Sequence, residues 1–298
     1  MTSGRFLLGL IGSNIMKSLS PAMQEDALAA AGLSGHYHLM DLDRLTGRTL
    51  ADVFNAAKAV GFKGFNVTFP VKQAVMPLLD QISLGAQQIG AVNTVTIGDD
   101  GRTHGHNTDR IGFLRGFEEG LGHACIQGKP VLLIGAGGAG RAVAFALMDL
   151  GASDMVIHDV DPNRAAALAA DITKHYPDAR CTVTSGLPGD LVAHAHAAVG
   201  IVNATPIGMI GSLGIPAPPD AILPTHWVAD IIYTPLQTEF IRLARSTGAK
   251  VLTADGMSVH QATEAFRLFT GQAADVTRMR QTFMSALAKR DEALARNQ

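Results

Sequence analysis

The chain has 298 residues, a length that suits two domains of ordinary size. Apolar residues make up 47%, charged residues make up 17%, and the formal net charge is −2. This composition is typical of a globular protein and excludes a disordered one. It offers no basic surface for nucleic acid or an anionic membrane, so we predict neither as a partner.

Two further features of the composition bear on location and metal binding. Cys125 and Cys181 have no CxxC or Cys/His spacing around them, so we predict no disulfide framework and no metal site. The apolar run near the N-terminus is too short for a signal peptide, and no run reaches the roughly 18–20 residues of a membrane span. We therefore expect a cytoplasmic protein.

Strands and helices alternate along the first part of the chain. Apolar runs and turn residues predict strands over 6–11, 36–42 and 62–68, helices over 21–31 and 45–60, and a third helix after Pro70. Ser20 is the predicted N-cap of the first helix. Residues 91–97 and 102–106 are the predicted strands of a hairpin around the turn at 98–101. The alternation predicts an α/β domain with a largely parallel sheet.

A second α/β series follows. It comprises predicted strands over 129–134, 155–158, 199–203 and 227–232, helices over 139–150 and 163–176, and a Gly/Pro-rich loop over 206–224. Two predicted helices, 258–269 and 276–296, close the chain. The pattern therefore predicts two α/β domains.

A glycine-rich turn joins the strand 129–134 to its helix. The turn consists of Gly135, Ala136, Gly137, Gly138, Ala139 and Gly140. In a GxGxxG turn the first glycine permits the tight bend, the second lets the backbone approach a pyrophosphate, and the third lets helix and strand pack closely. The N–H groups at a helix start attract an anion. We predict a dinucleotide site here; the alternative is a plain turn without a ligand.

Asp159 ends the next predicted strand, where a carboxylate can reach the ribose 2′-hydroxyl of NAD. The same carboxylate would repel the 2′-phosphate of NADP, whose sites usually offer an arginine. Arg164 is nearby, in or at the start of the following helix, and is a further candidate for cofactor contact. Asp161 competes as the acid, but its ordinary role would be to cap that helix. We therefore favour NAD over NADP.

Four polar clusters lie in the first domain and at its end. They are Ser18-Leu19-Ser20-Pro21, Asn66-Val67-Thr68-Phe69-Pro70-Val71-Lys72, Gly90-Ala91-Val92-Asn93-Thr94 and Gly105-His106-Asn107-Thr108-Asp109. Each polar residue, taken singly, has an ordinary structural explanation as a cap, a turn residue or a strand-pairing residue. Two hydroxyls beside a helix N-terminus would also suit a carboxylate ligand.

Taken together and in order, these clusters and the glycine-rich turn resemble the shikimate dehydrogenase family. The resemblance continues through Asn203-Ala204-Thr205-Pro206-Ile207-Gly208-Met209, Asp230-Ile231-Ile232-Tyr233-Thr234-Pro235, Gly256-Met257 and Gln261-Ala262. It covers nearly the whole chain. Asp159 and the segments 226–233 and 260–271 are most similar to the NAD-dependent quinate/shikimate dehydrogenase branch.

The resemblance implies an α/β fold of two domains. An N-terminal α/β substrate domain would be completed by C-terminal helices, and a Rossmann-type dinucleotide-binding domain would be inserted between them. We expect residues 1–108 plus 256–298 to form the substrate-binding catalytic domain and residues 109–255 to form the NAD-binding domain.

The resemblance also implies the reaction and its residues. The family oxidises the 3-hydroxyl of shikimate, or of quinate, and passes a hydride to a nicotinamide. Lys72 and Asp109 match the catalytic pair, with Lys72 as general acid/base. The implied contacts are Ser18 and Ser20 to the substrate carboxylate, Tyr233 on the carboxylate side, Thr68, Lys72, Asn93, Asp109 and Gln261 to ring hydroxyls, Asn203, Thr205 and Met209 beside the cofactor, and Gly256 and Met257 near the nicotinamide.

The sequence departs from the family pattern at Lys17 and Gln24, where histidine is frequent, and at Thr253-Ala254, where Asp-Gly is frequent. These changes leave open the choice between quinate and shikimate. They also leave open a related ring such as an aminoshikimate. Two further alternatives stand beside this interpretation, an NADP-dependent biosynthetic enzyme and, with less support because Lys72 and Asp109 are both present, a non-catalytic ligand sensor. The biosynthetic or catabolic direction and the choice between monomer and homodimer stay open as well.

Overall fold

The computed structural model describes residues 5–184 and 186–296. The chain divides into two compact units, one formed by Met1–Thr108 with Val259–Gln298 and the other by Asp109–Ser258. The chain returns to the first unit at Val259, whereas the sequence placed this return at residue 256. No helix in the described ranges is both long and apolar enough to cross a bilayer.

The helices and strands follow one another as alternating elements. The strands are β1 (Arg5–Gly12), β2 (Ser34–Asp41), β3 (Gly64–Val67), β4 (Gln81–Ile82), β5 (Thr94–Ile97), β6 (Thr103–His106), β7 (Pro130–Ile134), β8 (Asp154–His158), β9 (Arg180–Val183), β10 (Gly200–Asn203), β11 (Trp227–Asp230) and β12 (Lys250–Leu252). The helices are α1 (Ser20–Ala30), α2 (Leu50–Ala59), α3 (Leu84–Ile89), α4 (Thr108–Gly120), α5 (Gly138–Asp149), α6 (Pro162–His175), α7 (Pro188–Ala197), α8 (Glu239–Thr247), α9 (Asp255–Thr270) and α10 (Val276–Arg296).

The sheet of the first unit is mixed. Its strand order is β2-β1-β3-β5-β6-β4, with β1 parallel to β2 and β3 and with β5 antiparallel to β3 and β6. The antiparallel pair β5–β6 is the hairpin predicted from its turn residues. This topology places the end of β1, the end of β3 and the start of β5 at one edge of the sheet, because β5 runs opposite to its neighbour.

The sheet of the second unit is entirely parallel, in the order β12-β11-β10-β7-β8-β9. This is the strand order of the Rossmann fold, with the change of direction between β7 and β10. The central strands β7, β10 and β11 are buried along nearly their whole length, as befits a parallel sheet covered on both faces. The predicted α/β class with a Rossmann-type domain is confirmed.

Three local predictions were wrong. No α-helix follows Pro70: the chain forms turns and then a short 3-10 helix, Met76–Leu78, because Pro77 lacks the N–H that a longer helix would need. Ser20 is the first residue of α1 and not its cap; Leu19 holds the cap position without a side-chain hydrogen bond. The helix predicted over 45–60 begins only at Leu50, where Thr49 forms a capping box with Asp52.

Candidate active site

The glycine-rich turn joins β7 to α5 at the change of strand order. Gly135 has φ of 105°, and a Cβ there would lie 2.7 Å from the Ala204 carbonyl carbon. A Cβ on Gly140 would collide with the carbonyl oxygen of Gly135. The protein's own packing therefore requires the first and third glycines.

Gly137 is different, because a Cβ built on it would meet no protein atom within 4 Å. Gly137 is also the N-cap of α5 and makes no side-chain cap. The space beside it is open next to the N–H groups of a helix start, where an anion is stabilised. The protein does not need a glycine here for its own packing, whereas a closely approaching pyrophosphate does. The turn therefore fits a dinucleotide.

The carboxylate of Asp159 is held on both oxygens by backbone groups. Ala136 N–H donates to Oδ2 over 2.7 Å, and Asp161 N–H donates to Oδ1 over 2.9 Å. The first bond ties Asp159, just beyond β8, directly to the glycine-rich turn. The acid is therefore fixed in direction at the edge of the sheet where a Rossmann fold binds its nucleotide.

The neighbouring charged residues have local partners. Asp161 accepts a bond of 3.0 Å from Asn163 N–H and thereby caps α6. Arg164, 65% exposed in its side chain, pairs with Asp161 over 3.4 Å. The capping role considered for Asp161 in the sequence is what the structure shows.

The loop after β10 is held in place by the Asn203 side chain, whose hydrogen-bonding groups all have partners within the protein. Asn203 is completely buried; its Nδ2 donates to the Ile207 carbonyl (3.0 Å) and to Asp230 Oδ1 (3.2 Å). Its Oδ1 accepts from the N–H (3.0 Å) and the hydroxyl (2.7 Å) of Thr205. The amide of Asn203 therefore fixes the conformation of the loop, and its donors and acceptor are all hydrogen-bonded to protein groups.

Sequence reasoning overlooked Asp230 as a site residue. It ends β11 and is buried, and burial raises the pKa of its carboxyl to about 6 against the hydrogen bonds that it accepts. The available signal was a charged residue within the apolar run predicted as the strand 227–232. In the structure it pairs with Asn203 at the end of the neighbouring strand.

The segment that contains Gly256 and Met257 lies at the start of α9. A Cβ on Gly116 of α4 would lie 2.8 Å from the Met257 backbone nitrogen, so the two helices touch through backbone atoms. A small cavity adjoins this contact. It is lined by Phe113, Gly116, Ala229, Asp230, Ile231, Leu252, Thr253, Ala254 and Met257. Met209 and Tyr233 are each partly exposed.

In the first unit, the loop after β1 carries the two serines. Ser20 N–H donates to Ser18 Oγ over 3.3 Å, and the two hydroxyl oxygens are 3.2 Å apart. Ser13 N–H donates to the Phe69 carbonyl over 3.0 Å. This last bond joins the serine loop to the turn after β3.

The turn after β3 carries Thr68 and Lys72. Thr68 N–H donates to the Ile11 carbonyl over 3.0 Å, and Val92 N–H donates to the Lys72 carbonyl over 2.9 Å. The Phe69–Pro70 peptide bond is cis. Lys72 is half-buried. Its backbone is thus held between the end of β1 and the segment that leads into β5.

Asn93 stands directly before β5 and is buried. Its carbonyl accepts from Val67 N–H over 2.8 Å, and its side chain bonds to Thr108, the residue that precedes Asp109. Asp109 is buried in the first turn of α4.

The predicted residues therefore gather within each unit. One sheet edge of the first unit carries Ser18, Ser20, Thr68, Lys72 and Asn93, and the carboxyl edge of the second carries the glycine-rich turn, Asp159, Asn203 and Thr205. Gln261 lies in α9, where its neighbour Ala262 accepts a hydrogen bond from the buried Gln24 side chain over 3.0 Å. Among the described residues, no group of His, Cys, Asp or Glu is arranged to hold a metal ion.

Comparison with known proteins identifies the protein family. Residues 10–95 match the shikimate dehydrogenase substrate binding domain, and residues 256–282 match the shikimate 5′-dehydrogenase C-terminal domain. The chain is 46% identical to a quinate/shikimate dehydrogenase (NAD(+)) of Corynebacterium efficiens over 96% of this chain and 100% of that one. It is also 46% identical to a shikimate dehydrogenase (NADP(+)) of Streptomyces avermitilis over 94% of this chain and 95% of that one.

A solved structure agrees. Quinate dehydrogenase from Corynebacterium glutamicum in complex with NAD superimposes with a TM-score of 0.86 at 43% identity, covering 95% of this chain and 100% of that one. Because relatives of this identity match it over nearly their full length, this chain belongs to the shikimate dehydrogenase family.

Proposed function

We propose that this chain is an NAD-dependent dehydrogenase that reversibly oxidises the 3-hydroxyl of quinate, shikimate or both to the 3-dehydro ketone. The observation that carries the proposal is the Asp159 carboxylate, fixed by the Ala136 N–H over 2.7 Å at the nucleotide-binding edge of a parallel sheet. A carboxylate in this place accepts the ribose 2′-hydroxyl and opposes a 2′-phosphate. Relatives named as NAD(+) enzymes and a neighbour solved with NAD support the same cofactor.

The cofactor would lie across the glycine-rich turn. The backbone N–H groups of residues 135–140 would hold its pyrophosphate, and Asp159 its ribose, with Arg164 beside them. Gly256 and Met257 would lie near the nicotinamide, with Met209 and Thr205 along the loop. When bound, the nicotinamide supplies a hydride acceptor.

Lys72 is the proposed general acid/base for the substrate hydroxyl. Its backbone is held by the Val92 N–H, so its side chain starts from a fixed point at the sheet edge that carries the serines. Asp109 would orient Lys72 and the substrate hydroxyl. The Asn93–Thr108 bonds support this role, since they fix the residue before Asp109. Alignment of this kind supplies much of the rate enhancement of an alcohol oxidation.

The remaining polar residues would hold the ring. Ser18 lies just before α1 and Ser20 is its first residue, so two hydroxyls stand at the start of this helix, a suitable place for a carboxylate. The proposed contacts are Ser18 and Ser20 with the substrate carboxylate, Tyr233 on the same side, and Thr68, Asn93 and Gln261 with ring hydroxyls. The substrate class is therefore a cyclohexane or cyclohexene carboxylate. A cytoplasmic location and a monomer or homodimer stay predictions.

A panel of quinate and shikimate, each with NAD⁺ and NADP⁺, tests the proposal. We expect an absorbance increase at the reduced-nicotinamide wavelength with NAD⁺ and at least one of the two acids. Higher kcat and lower KM with NADP⁺ would instead support the second candidate, an NADP-dependent shikimate dehydrogenase. This candidate stays open because the chain is as identical to the NADP(+) enzyme of Streptomyces avermitilis, at 46%, as to the NAD(+) enzyme of Corynebacterium efficiens. No turnover in any combination would contradict both.

A further inference from the structure

Two buried carboxylates have no part in the reaction proposed above. Asp41 is the last residue of β2 and is 5% exposed, and Asp230 is the last residue of β11 and is 2% exposed. Each belongs to a different compact unit. A buried charge is costly unless hydrogen bonds compensate for its lost hydration, so the partners of the two residues indicate what each one does.

Asp230 accepts hydrogen bonds from three separate segments. Asn203 Nδ2 (3.2 Å) and Ile232 N–H (3.0 Å) donate to Oδ1, and the Thr238 hydroxyl donates to Oδ2 over 2.7 Å. Asn203 in turn holds both the N–H and the hydroxyl of Thr205. Asp230 thus joins the loop after β10, the segment leading to Tyr233, and the N-cap of α8.

Asp41 makes the corresponding arrangement in the first unit. Asn14 N–H and Asp43 N–H donate to Oδ1, each over 3.1 Å, and Ile15 N–H donates to Oδ2 over 3.1 Å. Asn14 has φ of 55°, a left-handed conformation that a residue other than glycine adopts only when its surroundings hold it there. The Ile15 carbonyl then accepts from Ser18 N–H over 2.8 Å. Asp41 therefore fixes the path from β1 to the serines.

All six groups that face these carboxylates are donors. An ionised carboxylate can accept every one of them, whereas an amide of the same shape offers one acceptor oxygen and turns an N–H toward a donor. Burial raises the pKa of Asp230, so the site bears a cost for a charge in this place. In exchange, the hydrogen bonds fix the backbone directly beside the residues proposed to contact ligands.

We propose that Asp230 and Asp41 are positioning residues, one for each ligand: Asp230 shapes the dinucleotide loop Asn203–Ile207, and Asp41 shapes the loop that presents Ser18 and Ser20. This inference rests on the proposed function, because it assigns the two loops to NAD and to the ring carboxylate. It predicts that loss of Asp230 weakens NAD⁺ binding and that loss of Asp41 weakens binding of the acid substrate. If the two carboxylates only stabilised the fold, their loss would not affect the two ligands differently.

The test uses Asp230→Asn and Asp41→Asn in the full chain. We expect Asp230→Asn to raise the Kd and KM for NAD⁺ about tenfold, the usual cost of losing a bond to a charged group. The KM for the acid substrate at saturating NAD⁺ should change by less than about twofold. Asp41→Asn should instead raise the KM for the acid substrate about tenfold and change the Kd and KM for NAD⁺ by less than about twofold. The Kd is measured by calorimetric titration of the unmodified chain and each variant with NAD⁺.

Matched controls come from acids outside the two loops. Asp154 pairs with Arg180 over 2.6 Å at the opposite end of the parallel sheet, and Asp80 accepts from the Thr103 N–H and hydroxyl, each over 2.8 Å. Asp154→Asn and Asp80→Asn should leave all the constants within about twofold of the unmodified chain. A change as large as in the two test variants would overturn the inference.

A second pair of variants tests the same inference if the Asp230→Asn variant does not fold. Thr238→Ser keeps the hydroxyl that donates to Asp230, and Thr238→Val removes it at nearly constant volume; only the valine variant should weaken NAD⁺ binding. Asp41→Ser, which keeps one acceptor, serves likewise for Asp41. Equal effects of both aspartate variants on both ligands, or no effect on either, would overturn the inference. If the unmodified chain bound no NAD⁺, the proposed function itself would fail.

Discussion

Hydrogen bonds run in both directions between the side chain of Asn93 and Thr108. Thr108 N–H donates to Asn93 Oδ1 over 2.7 Å, and Asn93 Nδ2 donates to the Thr108 hydroxyl over 2.9 Å. Both residues are almost fully buried. The residue before β5 thus fixes the first residue of α4, and Asp109 follows it directly in the chain.

Thr108→Val should lower the free energy of unfolding by about 1–2 kcal/mol, because a buried amide donor loses its acceptor. Thr108→Ser keeps the hydroxyl and should cost clearly less. Urea unfolding of the three chains measures the difference. Equal stability of the valine and serine variants would show that the hydroxyl bond contributes nothing.

Lys72→Ala should lower kcat by about 10²–10⁴ with a modest change in KM, the usual effect of removing a positioned acid/base. Lys63→Ala is the matched control, since Lys63 is an exposed lysine of the same unit that pairs with Asp99 over 2.7 Å. Steady-state kinetics with both substrates measures the effect. A Lys72 variant with near-native kcat would remove this residue from the mechanism.

Ser18→Ala and Ser20→Ala should mainly raise the KM for the acid substrate, because both hydroxyls are proposed to bind and not to react. The effect should be larger for Ser18, which also accepts the Ser20 N–H over 3.3 Å. Ser246→Ala, whose hydroxyl donates to the Leu243 carbonyl over 2.8 Å on α8, is the control. A fall in kcat at unchanged KM would argue against the binding role.

Asp159→Ser should lower the preference for NAD⁺ over NADP⁺, expressed as the ratio of kcat/KM values, by at least about tenfold. The reason is the loss of a carboxylate that would repel a 2′-phosphate. Asp161→Asn removes a neighbouring charge while leaving the Asp159–Ala136 bond in place, and should shift the ratio much less. Similar shifts in both variants would assign the preference to net charge alone.

The stability conferred by Asp230 should depend on pH. Burial raises the pKa of this carboxyl from 3.8 to about 6, so the folded state binds the proton more tightly than the unfolded state. The associated stability is complete below pH of about 4 and is lost as the pH rises through about 6. Relative to Asp230→Asn, the unmodified chain should therefore lose about 2–3 kcal/mol between these limits.

Urea unfolding of both chains at several pH values across this window measures the change. Because other groups titrate equally in the two chains, the difference between them isolates residue 230. A difference that does not vary with pH would contradict the raised pKa.

Local sequence predicted the elements whose causes are local. The turn at residues 135–140 and the strand and helix on either side were predicted from spacing alone, since a GxGxxG turn encodes its own close packing. The family resemblance that rested on ordered motifs is confirmed by the relatives. The helix predicted after Pro70 does not form, because Pro77 interrupts it.

Asn203 shows where motif reasoning stops. The resemblance implied a residue beside the cofactor, and its position at the end of β10 agrees with that. Its amide, however, is spent on Ile207, Asp230 and Thr205. Whether an amide faces a ligand or its own chain depends on the fold, here on two nearby loop residues and on Asp230, 27 positions away, and residue type does not reveal these partners.

The sequence by itself indicated the family and predicted the glycine-rich turn, the acid after β8 and the hydroxyl, lysine and amide residues of the proposed substrate site. These are short-range signals in which residue type and spacing carry the chemistry. Only the tertiary structure decided the roles of Asp41 and Asp230. Strand order brings donors to these acids from far along the chain. Asn14 and Ile15 are 27 and 26 positions from Asp41, and Asn203 is 27 positions from Asp230. A carboxylate becomes a positioning group only when the fold buries it among such donors.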